Sequence, residues 1–196
     1  MRVGVLALQG DFAEHLALLH SLGAEGVEAR LPSHLDDIEA LIIPGGESTT
    51  IGKLAYAFDL LDPLRTFGHT HPIWGTCAGA IFLSKDAQER QHLLGLMDTT
   101  VERNAFGRQA DSFETEIFVP VLENPGTPFP VIFIRAPLIA RVGPEVDILA
   151  RLPNHDDNGI IVAAKQGHFL ATSFHPELTG DDRFHRYFLS LIKRDL

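Results

Sequence analysis

A single cysteine stands among 196 residues. It can form no internal disulfide, and it cannot assemble a thiolate zinc or iron–sulfur site by itself. Basic charge is scarce too: 16 Lys+Arg face 26 Asp+Glu, a formal net charge of −10. Without a basic footprint there is nothing to meet a phosphate backbone or an anionic bilayer, which excludes nucleic-acid or membrane binding as the main task. No apolar run approaches the roughly 20 residues of a membrane-spanning helix, and Met1-Arg2-Val3-Gly4-Val5-Leu6 has no signal-peptide pattern. These absences lead to the expectation of a cytoplasmic, globular protein. Internal repeats, low-complexity tracts and long linkers are missing as well, so residues 1–196 are expected to form one domain. A chain of this size buries roughly 70% of its unfolded surface, enough for a full core.

What is present alternates. In the first half, apolar runs of strand length (Val3–Leu8, Val27–Leu31, Ala40–Ile43, Pro72–Gly75) are separated by helix-period segments over Asp11–Leu22, Ser48–Phe58, Leu60–Phe67 and Ala78–Leu83. That order predicts a parallel sheet with crossover helices. The second half holds closely spaced strand-like runs at Glu116–Leu122, Val131–Ile134, Asp147–Leu152, Ile160–Ala164 and Phe169–Phe174, with turn signals at Asn158-Gly159 and Gln166-Gly167. A closing helix is expected over Asp181–Lys193. The fold class is therefore α/β, a three-layer sandwich around a mostly parallel sheet with added antiparallel strands.

The cysteine lies in Gly75-Thr76-Cys77-Ala78-Gly79, after a strand and before a helix. This is the nucleophile-elbow pattern with sulfur in place of a hydroxyl: flanking glycines permit a tight turn that presents the side chain. The helix start behind Cys77 favours the thiolate, the reactive form. The bland alternative is a buried cysteine that only packs. A thiolate attacking a carbonyl needs an acid–base partner and a group to orient that partner. Of ten histidines, most have dull explanations. His15, His20 and His185 fall in amphipathic helices and are expected to be solvated or half-buried; His34, His69, His71, His92, His155 and His168 fall in loops, turns or a polar helix exit. His175 differs, because His175-Pro176-Glu177 follows a strand and puts a carboxylate two positions away, on the same side of an extended backbone. A surface His–Glu pair is its alternative. Pro44-Gly45-Gly46-Glu47-Ser48 is a third strand-to-helix loop, whose glycines allow N–H groups to converge on an oxyanion together with that of Ala78. It could also be only a helix start with Ser48 as N-cap. Five residues separate Gly46 from Gly52-Lys53 and Leu54 follows, so it is a poor phosphate loop. No histidine spacing supports a metal.

Together these three motifs, in the order cysteine then His-x-Glu near the C-terminus, resemble the triad-type (class I) glutamine amidotransferase family. Leu6-Ala7-Leu8-Gln9-Gly10, Val101–Gln109, Phe133-Ile134-Arg135-Ala136-Pro137 and Ala163-Ala164-Lys165-Gln166-Gly167 sharpen the resemblance to the PdxT/SNO family, the glutaminase subunits of pyridoxal 5′-phosphate synthases, from end to end. The resemblance implies Cys77 as nucleophile, His175 as acid–base and Glu177 as its orienter. It implies an oxyanion hole from Gly46 and Ala78, and glutamine contacts from Gly46, Glu47, Ser48, Arg103, Ile134 and Arg135. An arginine fork suits the α-carboxylate of a free amino acid. The resemblance further implies no cofactor and no metal, a (β/α)₈-barrel synthase subunit as partner in a large hetero-oligomer, and Gln9 as a position tied to that partner. Three other readings remain at this level: an amidotransferase of another pathway, a cysteine hydrolase on the same elbow, and a regulatory or redox-sensing subunit.

Overall fold

The computed structural model describes residues 1–87, 90–103, 112–153 and 159–192. The first half runs β1 (Arg2–Leu6), α1 (Phe12–Ser21), β2 (Glu25–Ala29), β3 (Ala40–Ile43), α2 (Ser48–Ala57), α3 (Leu61–Gly68), β4 (Ile73–Thr76) and α4 (Ala78–Leu83). Then follow β5 (Ser84–Ala87), β6 (Met97–Glu102), β7 (Ser112–Ile117), β8 (Phe129–Ile134), β9 (Leu138–Val142), β10 (Asp147–Leu152), β11 (Ile160–Gln166), β12 (Phe169–Thr172) and α5 (Arg183–Ile192).

Strands β2, β1, β3, β4 and β12 lie side by side and parallel. The sheet continues through β11, β9, β6 and β5, with antiparallel pairing at β12–β11, β11–β9 and β9–β6. β10 joins β11, and β7 with β8 forms a separate antiparallel hairpin. Buried on both faces, β3 reads as an unbroken apolar run, and side chains of β3 and β4 alternate between two cores. Leu41, Ile43 and Ile73 point to the face covered by α2, α3 and α4, where they meet Ile51, Leu64 and Ile81. Ala40, Ile42 and Trp74 point to the other face, where Leu19 of α1, Phe184 and Phe188 of α5 and Phe129 and Phe133 of the hairpin close over them. Helices on both faces of one mixed sheet form the expected layered α/β arrangement.

The antiparallel half departs from expectation in several places. The strand expected at Glu116–Leu122 lies earlier, at Ser112–Ile117, because Pro120 cannot donate into a ladder and the chain turns after Ile117. Its polar alternation reflects a hairpin with one wet face. β5, β6 and β9 were not anticipated; Met97-Asp98-Thr99-Thr100-Val101-Glu102 of β6, with only every second residue buried, carries no continuous apolar run. β2 begins at Glu25 rather than Val27 and ends at Ala29. β1 stops at Leu6, two residues short, since the chain turns toward the site there. His155, Asn158 and Lys193, together with residues 104–109 of the Val101–Gln109 motif, lie outside the described residues.

Candidate active site

The carboxyl ends of β1, β3, β4 and β12 converge on one edge, the usual ligand edge of a parallel sheet. β4 delivers Cys77 through a turn that only its neighbours permit. A side chain at Gly75 would run into the backbone of Gly79, and one at Gly79 into the backbone of Ile43. The chain is thereby drawn tight enough to hold Cys77 at φ 48°, ψ −109°, a conformation that costs on the order of 1–3 kcal/mol for a residue with a side chain. A 2.8 Å bond from the Cys77 N–H to the Thr172 carbonyl of β12 holds the elbow in place. The thiol is free and buried, with Sγ 3.9 Å from the Ile134 carbonyl oxygen.

β12 delivers the imidazole. The His175 N–H donates to the Ile132 carbonyl at 2.9 Å, and Nδ1 lies 2.7 Å from Glu177 Oε1. The pair is not built on extended backbone as the sequence suggested; Pro176–Leu178 form a 3₁₀ turn, which folds the carboxylate back beneath the ring. Burial works against a charge on His175, but hydrogen bonds with Cys77 and Glu177 and the charges of both push its pKa up to about 10. With Nδ1 occupied by Glu177, Nε2 is the nitrogen left for the sulfur. Burial raises the Glu177 carboxyl above its ordinary range, opposed by the His175 bond.

β3 delivers the glycine loop. Gly46 has φ 148°, and a side chain there would collide with the amide of Gln9. Gln9 Oε1 accepts the Glu47 N–H at 2.8 Å, so the turn that follows β1 braces the loop. Glu47, not Ser48, is the N-cap of α2, its carboxylate accepting from the N–H groups of Thr49 and Thr50. Burial opposes ionisation of Glu47, yet these bonds and the Thr49 and Thr50 hydroxyls hold its pKa at about 2. The same carboxylate receives Arg103 at 2.9 Å.

A pocket of about 380 Å³ opens beside the sulfur, and its wall includes Gly46, Glu47, Cys77, Ala78, Arg103, Ile134, Arg135 and His175. Of the expected site residues, Ser48 does not reach it: its side chain is buried, with the hydroxyl unpartnered. Gln9 and Glu177 lie behind the wall, against Gly46 and His175 respectively. Asp11 was missed. Its carboxylate lines the pocket and lies 3.4 Å from His175 Nδ1; its one sequence signal is a carboxylate just after the turn that ends β1. His15 and His185, expected to be at least half-solvated, are both fully buried behind Glu177.

The model of the SNO glutamine amidotransferase family matches residues 5–194. The chain belongs to this family. It is 58% identical over 196 residues to the pyridoxal 5′-phosphate synthase subunit PdxT of Herpetosiphon aurantiacus, covering 97% of this chain and all of that one. The subunit of the same name from Pelotomaculum thermopropionicum is 55% identical, covering 96% and 94%. Among solved structures, a glutamine amidotransferase at 49% identity superposes with a TM-score of 0.90 over 97% of this chain and 98% of that one. PurLQS from Thermotoga maritima, at 17% identity and a TM-score of 0.70 over 98% of both chains, shares the fold. The family's glutaminase activity accords with a thiol and an imidazole on the wall of one pocket and a carboxylate 2.7 Å from the far side of that imidazole.

Proposed function

We propose that this chain is the glutaminase subunit of a pyridoxal 5′-phosphate synthase and that Cys77, His175 and Glu177 carry its reaction. The carrying observation is geometric: the Cys77 thiol and the His175 ring share the wall of one pocket, and His175 Nδ1 lies 2.7 Å from the buried Glu177 carboxylate. Cys77 Sγ attacks the side-chain amide carbon of glutamine, and the Gly46 and Ala78 N–H groups receive the oxyanion. His175 gives its proton to the departing ammonia, then takes one from water as that water attacks the γ-glutamyl thioester. Glutamate leaves and the thiol is restored.

Arg103 and Arg135 suit the α-carboxylate of glutamine. Glu47 serves by position, since its carboxylate caps α2 and aims Arg103 into the pocket. Ile134 offers its carbonyl beside the sulfur. Ser48 supports the loop from behind its wall. Residues 1–196 act as a single domain, a reading supported by two cores sharing one sheet. No described helix is long and apolar enough to cross a membrane, and a free nucleophilic thiol suits the reducing cytoplasm.

Ammonia is useful only while unprotonated, so the product belongs in a channel rather than in bulk water. The receiving partner is a (β/α)₈-barrel synthase subunit within a large hetero-oligomer, and Gln9 couples it to the oxyanion loop: its amide touches both Gly46 and the Glu47 N–H. Mixing the chain with barrel synthase and glutamine and following glutamate release tests the reading. Glutaminase activity rises when the partner is added and disappears in Cys77→Ala and His175→Asn, while Cys77→Ala still binds the partner. Equal rates with and without partner contradict the coupling; full turnover by Cys77→Ala contradicts the mechanism.

A further inference from the structure

Glu177 has two carboxylate oxygens, and the reaction above uses one. Oε1 meets His175; Oε2 is buried and lacks a hydrogen bond of normal geometry. On that side lies a second layer. His15 of α1 places Nε2 3.4 Å from Glu177 Oε2 and 3.4 Å from the hydroxyl of Thr76, the residue before the nucleophile. Its Nδ1 lies 2.9 Å from Nε2 of His185 on α5. Both rings have no solvent exposure, and both meet Trp74 edge-on. Burial lowers the pKa of both, with His185 and His175 adding to the effect on His15, while His185 falls to about 4 despite Asp182.

A neutral imidazole has one N–H and one bare nitrogen, so the His15–His185 contact admits two arrangements. If His15 donates from Nδ1, its Nε2 lone pair faces the Glu177 carboxylate and the His185 proton sits on Nδ1, which is buried without an acceptor. If His185 donates from Nε2, the His15 proton sits on Nε2, which faces both the Thr76 hydroxyl and Glu177 Oε2 at 3.4 Å, and the unpartnered His185 nitrogen is only an acceptor. A buried orphan donor and two opposed lone pairs are the costlier combination. We infer that His15 is a positioning residue of the glutaminase, its Nε2–H directed onto the second carboxylate oxygen of Glu177 by a hydrogen bond from His185.

This inference rests on the Cys77–His175–Glu177 reading. A carboxylate with a donor at each oxygen cannot swing away from His175 and is held ionised. The 3.4 Å separation is long, and catalytic hydrogen bonds commonly tighten when substrate binds. The titratable groups acting on Glu177 are His175, His15 and Asp11. Losing the His15 N–H removes a donor to the ionised form, so the Glu177 carboxyl titrates higher and the acid limb of kcat/KM moves to higher pH.

The test compares wild type with His15→Leu, His15→Gln and Cys77→Ala, each as the full chain with the synthase subunit. His15→Leu lowers kcat about 10- to 100-fold, as outer-layer partners of reactive groups do, leaves KM for glutamine within about twofold and raises the acid limb. His15→Gln, whose amide N–H reaches the same place, restores the limb and most of the rate. In wild type, long-range ¹H–¹⁵N spectra show both His15 and His185 protonated on Nε2, a readout independent of whether a variant folds. A folded His15→Leu with unchanged kcat and acid limb overturns the inference, as does a His15 proton on Nδ1. Cys77→Ala separates the failures: if it turns over, the triad reading is wrong; if it is dead while His15→Leu matches wild type, only the role of His15 is.

Discussion

Two groups of buried histidine flank Glu177, and they are driven in opposite directions. His175 sits between a thiol and a carboxylate, and its pKa rises to about 10. His185, equally shut away but facing an imidazole and an indole, falls to about 4. Burial disfavours the charged form in both cases; what differs is the neighbour able to repay the lost hydration. The difference separates a ring whose surroundings favour its proton from one whose surroundings disfavour it.

The comparison is broken most severely by removing its reactive side. His175→Asn keeps a polar group but no acid–base function, and the expected loss of glutamate release is about 10³-fold or more. Residual activity within tenfold of wild type means that another group moves the proton. Next in size is the packing that keeps the neutral side dry. Phe184 is fully buried against Trp74, Phe129 and Phe174, and Phe184→Ala should destabilise the chain by about 3–5 kcal/mol in urea titration.

The two sides also leave opposite signatures in stability against pH. His175 has its folded pKa raised, so its contribution is complete below its unfolded value near 6.5 and disappears as pH climbs through about 10. His185 has its folded pKa lowered, so the unfolded chain binds the extra proton and stability falls as pH drops from 6.5 toward about 4. Each slope is at most about 1.4 kcal/mol per pH unit for a single proton. Glu177→Gln should reduce the alkaline slope and His185→Leu the acid one, to which buried His15 also contributes, both read from melting temperature; a flat profile in wild type contradicts the assignment. The smallest effect belongs to the pocket wall. Glu47→Gln weakens the ionic hold on Arg103 and should raise KM for glutamine about tenfold with little change in kcat.

The legible part of the molecule is the part whose residues are buried on both sides or forced into unusual turns. Ala40–Ile43 and the Gly75–Gly79 elbow announce themselves because a doubly covered strand must be apolar throughout, and a strand-to-helix reversal around Cys77 must be free of neighbouring Cβ atoms. β6 gave no such signal, since one-sided burial leaves polar residues at every second place. The pairing of His175 with Glu177 was readable from their spacing, although a 3₁₀ turn achieves what extended backbone was expected to. The burial of His15 and His185 was not readable at all. It arises from α1 and α5 meeting over Trp74, a contact between segments 170 residues apart in the chain, and helix periodicity does not say which helix another will touch.

The most direct test of the central claim is an acid-quenched mass measurement on the full chain turning over glutamine with its synthase partner. A γ-glutamyl adduct on the peptide containing Cys77, absent in Cys77→Ala, is the expected result. Steady-state glutamine hydrolysis with no adduct in wild type and undiminished turnover in Cys77→Ala would contradict the account.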